Sequence, residues 1–408
     1  MKPVKPTFSA DFFAGNRLAL RQALASDVPI VLTGNGLLQR NADNNFPFRQ
    51  DSSFWYFTGI DIQDAILVID GSKEFIILPK RQRHQEVFDG LHDLDELRKR
   101  SGITDWLDET EGWQQLHAAV AKRNTIAMLK PAPGYIKFYS MYSNPARQRL
   151  LQRLRRRHSG LKIEDLRQKV AHLRMIKQPV EIAAIQRAVD ITLESLADVK
   201  SKFLAYDYEY EIEADLTQGF IRRGAMEQSF TPMVAGGMNA CVIHHMSNTS
   251  PVNDVRFVLF DIGVEYEHYA SDISDTVWRV PRNSREEAVY QVLLEARDYA
   301  FSLLKPGVVF REYEKQCETF MGEQLRKLGL ISELEREPIR HYFPHRMSHH
   351  VGLDPHDSED YDHPLSAGAV VAVEPGIYIP EEGIGVRIED DVLLTKTGVQ
   401  NLSAKLSR

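Results

Sequence analysis

The chain has 408 residues, which exceeds the roughly 250–300 at which single cores usually stop growing, so two domains are expected. With 43% hydrophobic and 26% charged residues the composition is that of a folded protein, which excludes disorder. A net charge of −7 offers no global field for nucleic acid or anionic lipid, which excludes polyanionic partners.

In chain order, the first part alternates strand-like runs at Ile30–Thr33, Ala65–Asp70, Glu74–Pro79 and Thr125–Leu129 with helical stretches at Ala10–Ala25 and Leu107–Lys122. This is an α/β pattern. Six arginines between Arg147 and Arg157 surround Leu150, Leu151 and Leu154, the spacing of one apolar stripe on a solvated helix. Ser159-Gly160 then punctuates the chain, and a boundary is expected near residues 160–172, giving domains 1–170 and 171–408.

Ile182, Ile185, Val189, Leu193 and Leu196 repeat at helical spacing, and a second helix pattern runs from Glu209 to Arg222, ahead of strands at 229–280. The order recurs. Ser284 with Glu287 reads as a capping box for a helix ending near Lys305-Pro306-Gly307, a further helix covers Phe310–Leu328, and strands follow near 369–380 and 384–395. The C-terminal domain is therefore expected to be α+β, an antiparallel sheet backed by helices with an internal pseudo-twofold.

The strand-like runs are too short to span a membrane, and MKPVKPTFSADFF lacks the continuous apolar core of a signal peptide, so a cytoplasmic protein without membrane partners is expected. Cys241 and Cys317 form no CxxC pair and read as free thiols.

The chemistry concentrates late in the chain. Asp261 ends the apolar run Phe257–Phe260, and Asp272 follows past a polar turn, where a hairpin could set both carboxylates on one face. Glu374 follows Val370-Val371-Ala372-Val373 directly; an unpaired carboxylate at the end of a buried strand needs a metal, a cation or a proton. Glu389 repeats the situation in Gly385-Val386-Arg387-Ile388-Glu389, with Arg387 on the same face as a candidate ion-pair partner. Nine of the 14 histidines fall between His244 and His363, with His349 and His356 beside glycine and aspartate. His341, His345 and His349 do not make a zincin helix, because Pro344 interrupts the spacing and no HExxH is present. Four carboxylates and an imidazole form a hard, oxygen-rich donor set that suits two divalent ions, Mn(II) first, with Co(II), Fe(II) or Zn(II) as alternatives. Such a pair, about 3.5–4 Å apart, would share a hydroxide nucleophile and polarise a carbonyl.

Five ordered segments, Phe260–Gly263, Tyr269–Ile273, Ser348–Asp357, Val373–Gly376 and Val386–Asp390, resemble the pita-bread metallopeptidases of the creatinase/aminopeptidase fold, and within them the aminopeptidase P family. Leu173–Lys177 with Glu181-Ile182, and Phe46–Gly59, are similar to the domain junction and N-terminal domain of that family.

The resemblance implies hydrolysis of an N-terminal Xaa-Pro bond by a homodimer or homotetramer. It implies that Asp261 binds one metal, that Asp272 and Glu389 bridge, and that His349 and Glu374 complete the second site, with Glu374 also accepting a proton. His244 and His356 match histidines that stabilise the tetrahedral intermediate and leaving group. His345 and Arg387 match residues lining a proline pocket, with Tyr378 and Phe230 as candidates for its apolar wall. Two positions depart: Ser274-Asp275-Thr276 stands where the family shows Thr-Arg-Thr, and Arg346 replaces the glycine after His345. A Xaa-Pro dipeptidase shares the same cage, and a non-catalytic peptide-binding or chaperone module shares the fold but usually lacks the ligands. Methionine aminopeptidase generally lacks so large an N-terminal domain, and creatinase lacks this cage.

Overall fold

The computed structural model describes residues 8–131, 136 and 139–408. It separates into two compact units, one ending at Leu173 and one running from Arg174 to Arg408.

In the first unit a six-stranded mixed sheet takes the spatial order Asp105–Leu107, Lys73–Ile77, Ile66–Asp70, Ile30–Thr33, Thr125–Met128, Lys162–Asp165. Its centre is antiparallel, Ile30 facing Ile69, and both flanks are parallel. The arginine-rich helix Ala146–Arg157 buries Leu150 and Leu154, and its arginines face outward to Asp51, Glu109 and the Trp113 ring. The helix Ser52–Thr58 is capped by the Asp51 side chain and closed by Gly59 at φ 66°, where a Cβ would lie 2.4 Å from the Phe13 ring.

The second unit is built twice from the same parts. Helices Pro179–Ser201 and Glu209–Arg222 pack Ile191, Leu196, Leu216 and Phe220 onto Val234, Val258 and Phe260 of a three-stranded antiparallel sheet, Met233–Gly236, Phe257–Ile262 and Ile273–Trp278. Helices Ser284–Leu303 and Phe310–Lys327 pack Leu293, Tyr313, Met321 and Leu325 onto Val371, Val373 and Val392. The latter belong to a four-stranded antiparallel sheet ordered Ser348–His350, Val370–Val373, Asp390–Leu394, Val399–Asn401. A two-stranded ribbon, Gly376–Ile379 with Ile384–Arg387, completes this half.

The expected single sheet is thus divided. Its halves are joined by the backbone bond from Glu389 N to Ser274 O, 2.9 Å, and by Thr276, whose hydroxyl donates to Arg387 O and accepts from Arg387 N. The expected Ser284 cap is also displaced by one residue: Asn283 caps the helix and Glu286 closes the box, because an Asn side chain one position earlier reaches two first-turn amides. Among the described residues no helix is long and apolar enough to cross a membrane.

Candidate metal centre

The seam between the two sheets of the second unit carries the candidate residues. Asp261 faces Ser274 in the antiparallel register, and Asp272 lies two residues before Ser274 on the same face, so both aspartates share one side of the hairpin. From the other half, His349 pairs with Ala372, and Val373 pairs with Asp390. Glu374 directly follows Val373 and Glu389 directly precedes Asp390, so the two carboxylates leave adjacent ends of paired strands.

The five side chains converge. His349 Nε2 stands 3.7 Å from Asp272 Oδ2, 3.7 Å from Glu374 Oε1 and 3.6 Å from Glu389 Oε1. Three overlapping groups, Asp261/Asp272/Glu389, His349/Glu374/Glu389 and Asp272/His349/His356, each bring one donor atom per residue within 4.8 Å of the others. Glu389 belongs to two of them.

Burial pushes the Asp261, Asp272, Glu374 and Glu389 carboxyls up, and neighbouring carboxylates push further on Asp272 and Glu374. Arg387 opposes the rise at Asp261, Glu374 and Glu389. One guanidinium cannot neutralise four carboxylates, and Asp261 Oδ1 is buried with no hydrogen-bond partner among the described residues. A cluster short of positive charge, with an orphaned acceptor and an imidazole at hand, fits hard divalent ions.

Arg387 is buried and spent on three sides: Nη2 donates to Asp261 Oδ2 at 2.6 Å, Nη1 to Tyr378 OH at 2.7 Å and Nε to Ser274 Oγ at 2.8 Å. The direct Arg387–Glu389 ion pair considered from the sequence is replaced by a relay, since the Ser274 hydroxyl donates to Glu389 Oε2 at 2.8 Å. His345 Nε2 lies 2.9 Å from Tyr378 OH, and its Nδ1 lies 2.8 Å from Arg346 O and 3.4 Å from Glu374 Oε2. Because a carbonyl only accepts, Nδ1 carries the proton and Nε2 accepts from Tyr378. Burial, with help from Arg387, drives this imidazole down to about 3, so it is neutral.

His356 has an exposed position in the chain and stacks its ring on His349 with centroids 4.0 Å apart; the positive charge of a protonated His349 first, then desolvation of the stacked ring, pushes its imidazole down. His244 is exposed on the segment after the turn Gly237–Cys241, and Phe230 is half-buried in the bend before Met233–Gly236. The structure thus assembles Asp261, Asp272, His349, Glu374, Glu389 and His356 in one cluster with His345, Tyr378 and Arg387 beside it, while His244 and Phe230 sit on flanking segments. Arg346 lies over the Tyr361 ring, 4.0 Å from its centroid.

Several supporting residues escape sequence reasoning. Glu209, fully buried, accepts from Gly236 N, Asn239 Nδ2, His245 Nε2 and Ser250 N at 2.9–3.0 Å, and so ties down both ends of the His244 segment. Glu314 accepts from Met347 N and Ser348 N, steadying the strand that bears His349. Asp391 accepts from Asp272 N at 3.0 Å. Gly385 passes so close to this framework that a Cβ would lie 2.3 Å from the Ala240 carbonyl. A carboxylate at a helix start and polar residues alternating along an apolar strand are the only traces these residues leave in the sequence.

Residues 183–396 match the model of metallopeptidase family M24, and residues 13–127 match that of the aminopeptidase P N-terminal domain. The Xaa-Pro aminopeptidase of Escherichia coli K12 is 31% identical over 97% of this chain and 94% of its own length. Zn-substituted E. coli aminopeptidase P in complex with product superposes with a TM-score of 0.84 at 29% identity, covering 98% of this chain and 96% of that one. The Yersinia pestis proline aminopeptidase P II gives 0.83 at 27% identity, covering 98% and 97%.

Proposed function

Since this chain belongs to metallopeptidase family M24 and carries an aminopeptidase P-type N-terminal domain, we propose that it is a metal-dependent Xaa-Pro aminopeptidase, releasing the first residue of peptides with proline second. The carrying observation is the under-neutralised cage of four carboxylates around His349, of which Asp272 and Glu389 are buried and Asp261 and Glu374 half-buried.

In this reading Asp261, Asp272 and Glu389 would hold one divalent ion, and His349, Glu374 and Glu389, with Asp272 beside them, would hold the other. The grouping of donor atoms supports that division. The oxygen-rich set favours Mn(II), with Co(II), Fe(II) or Zn(II) able to substitute. Bound there, such ions supply Lewis acidity and water acidified to near neutrality.

The remaining work belongs to the chain itself. Glu374, poised between His349 and His345, takes the proton of the attacking water. His356 and His244 donate to the developing oxyanion and to the departing proline nitrogen, which carries no N–H in the substrate. Neutral His345, Tyr378, Arg387 and Phe230 shape the wall against which the proline ring rests. Arg387 also opposes protonation of Asp261 and aims its carboxylate, through its 2.6 Å bond.

Cytoplasmic residence is supported by two free thiols. A homodimer or homotetramer is supported by Val87, Phe88 and Leu91, 75%, 84% and 78% exposed.

The deciding experiment strips the protein with a chelator, reloads it with Mn(II), and offers Xaa-Pro, Xaa-Pro-Yaa and Xaa-Ala-Yaa peptides. Cleavage of Xaa-Pro-Yaa is expected, with Xaa-Ala-Yaa refused. Strict preference for the dipeptide would make the protein a prolidase, and no hydrolysis or Mn(II) binding at all would make it a binding module.

A further inference from the structure

Behind the cage, on the opposite face of the Ile273–Trp278 strand from Ser274, sits Asp275, 1% exposed. It occupies the position at which the family resemblance leads one to expect an arginine. A buried carboxylate there needs a cation, and two reach it: Lys200 from the Pro179–Ser201 helix, and Arg408, whose Nε stands 3.6 Å from Asp275 Oδ1.

Arg408 does more than neutralise Asp275. Its Nη1 donates to both carboxylate oxygens of Asp390, at 2.8 and 3.1 Å, and its Nη2 donates to the backbone oxygen of Glu389 at 2.7 Å. Asp390 is itself fully buried, and Ser403 Oγ donates to its Oδ1 at 2.6 Å. The Arg408 side chain is 8% exposed, so this guanidinium is an internal group. The segment leading to it is stitched down at Leu402, whose carbonyl accepts from Gln186 and whose amide donates to Asp391 O, and at Ser407, whose carbonyl accepts from Lys200.

The consequence falls on Glu389. Its N–H is fixed by Ser274 O and its carbonyl by Arg408, so both polar groups of its backbone are held, and only its side-chain torsions remain to aim the carboxylate. We propose that Arg408 is a positioning residue of the metal centre: it returns from the far end of the chain the positive charge that Asp275 displaces, and through Asp390 and the Glu389 carbonyl it sets the aim of Glu389. The proposal rests on the reading of Glu389 as a metal ligand.

The test is calorimetric titration of Mn(II) into the metal-stripped 408-residue chain, alongside thermal unfolding of the metal-free form. Arg408→Ala is expected to weaken Mn(II) binding by about 10–100-fold, the usual effect of removing a group that orients a ligand. Arg408→Gln, a milder change should the Ala variant fold poorly, is expected to weaken it less, because the amide can still donate to the Glu389 carbonyl. Lys405→Ala loosens the same segment through its exposed bond to Asp190 without touching the strand, and should bind Mn(II) as the unaltered protein does. Lower thermal stability with unchanged Mn(II) affinity in Arg408→Ala would reduce the residue to a structural tether and overturn the proposal, as would equal weakening in Lys405→Ala. Glu389→Ala separates the two readings: it must lose Mn(II) if the centre is as described, and if it does not, the metal-centre assignment itself fails.

Discussion

Two buried charged groups, one in each unit, are treated in opposite ways. Arg17, in the unit ending at Leu173, donates to Glu74 at 2.7 Å and to the Phe57 and Ser101 carbonyls at 2.8 and 3.1 Å, so its guanidinium is met on three sides. Among the described residues, the carboxylates around His349 share a single guanidinium and leave Asp261 Oδ1 with no donor. Fold stability asks for the first arrangement, since an uncompensated buried charge costs several kcal/mol. The second is tolerated only where the deficit is made good by something that binds.

The comparison breaks most visibly at Glu389 and Asp272. Replacing either by Ala should reduce peptide cleavage to background while the metal-free protein unfolds at an equal or higher temperature, because removing one carboxylate relieves repulsion. Turnover near normal in either variant, measured after Mn(II) reloading, would end the dinuclear assignment.

Arg17→Ala should show the reverse, a loss of about 3–5 kcal/mol with activity per folded molecule retained, the range typical of breaking a buried pair. The lower end is expected, because Glu74 is 19% exposed and can hydrate once freed. Denaturant unfolding and active-site titration together check both halves of the statement.

His356→Ala should lower kcat by about 10²–10³-fold with Mn(II) affinity less affected, as for loss of one well-placed donor. A matching collapse in metal affinity would instead make His356 a ligand, as its grouping with Asp272 and His349 permits.

Saturating Mn(II) should stabilise the fold by about 2.7 kcal/mol at a hundred times Kd. A chelator-reversible rise in Tm is the signature.

The smallest effect concerns Glu181, buried at the start of its helix, with Tyr269 OH donating to it at 2.8 Å. Burial raises its carboxyl from 4.5 to about 7, so between those values the folded state holds a proton that the unfolded state has released. Its contribution is therefore present below pH 4.5 and is lost as pH rises toward 7. Glu181→Gln should remove that part of the decline, which a pair of unfolding series at pH 5 and pH 8 would register; parallel curves would refute it.

Much of this was legible in the sequence, and the limit has a physical cause. Asp261, Asp272, Glu374 and Glu389 stand out because a carboxylate at the end of an apolar strand conflicts with its surroundings, and conflict is visible locally. The residues that aim them do not conflict with anything nearby. Ser274 and Thr276 look like ordinary strand residues until the register lays them beside Glu389 and Arg387, more than a hundred positions away. Arg408 looks like a polar chain end. Glu209 reads as a helix-start carboxylate, a place where acids are favoured for the dipole alone. The helix cap was displaced for a related reason: Asn283 and Ser284 are both good caps, and only the backbone path chooses between them.

Gly385 shows how little slack this framework has. With the Ala240 carbonyl 2.3 Å from where a methyl group would stand, the ribbon that delivers Arg387 and the turn that precedes His244 are spaced by bare backbone. In mutational terms, alanine is a single base change from any glycine codon, yet here that smallest step would wedge apart two segments that meet at the substrate in the proposed reading. Size changes are instead accommodated at exposed positions such as Arg346 and Met238, where a side chain can grow or shrink into solvent without moving this framework.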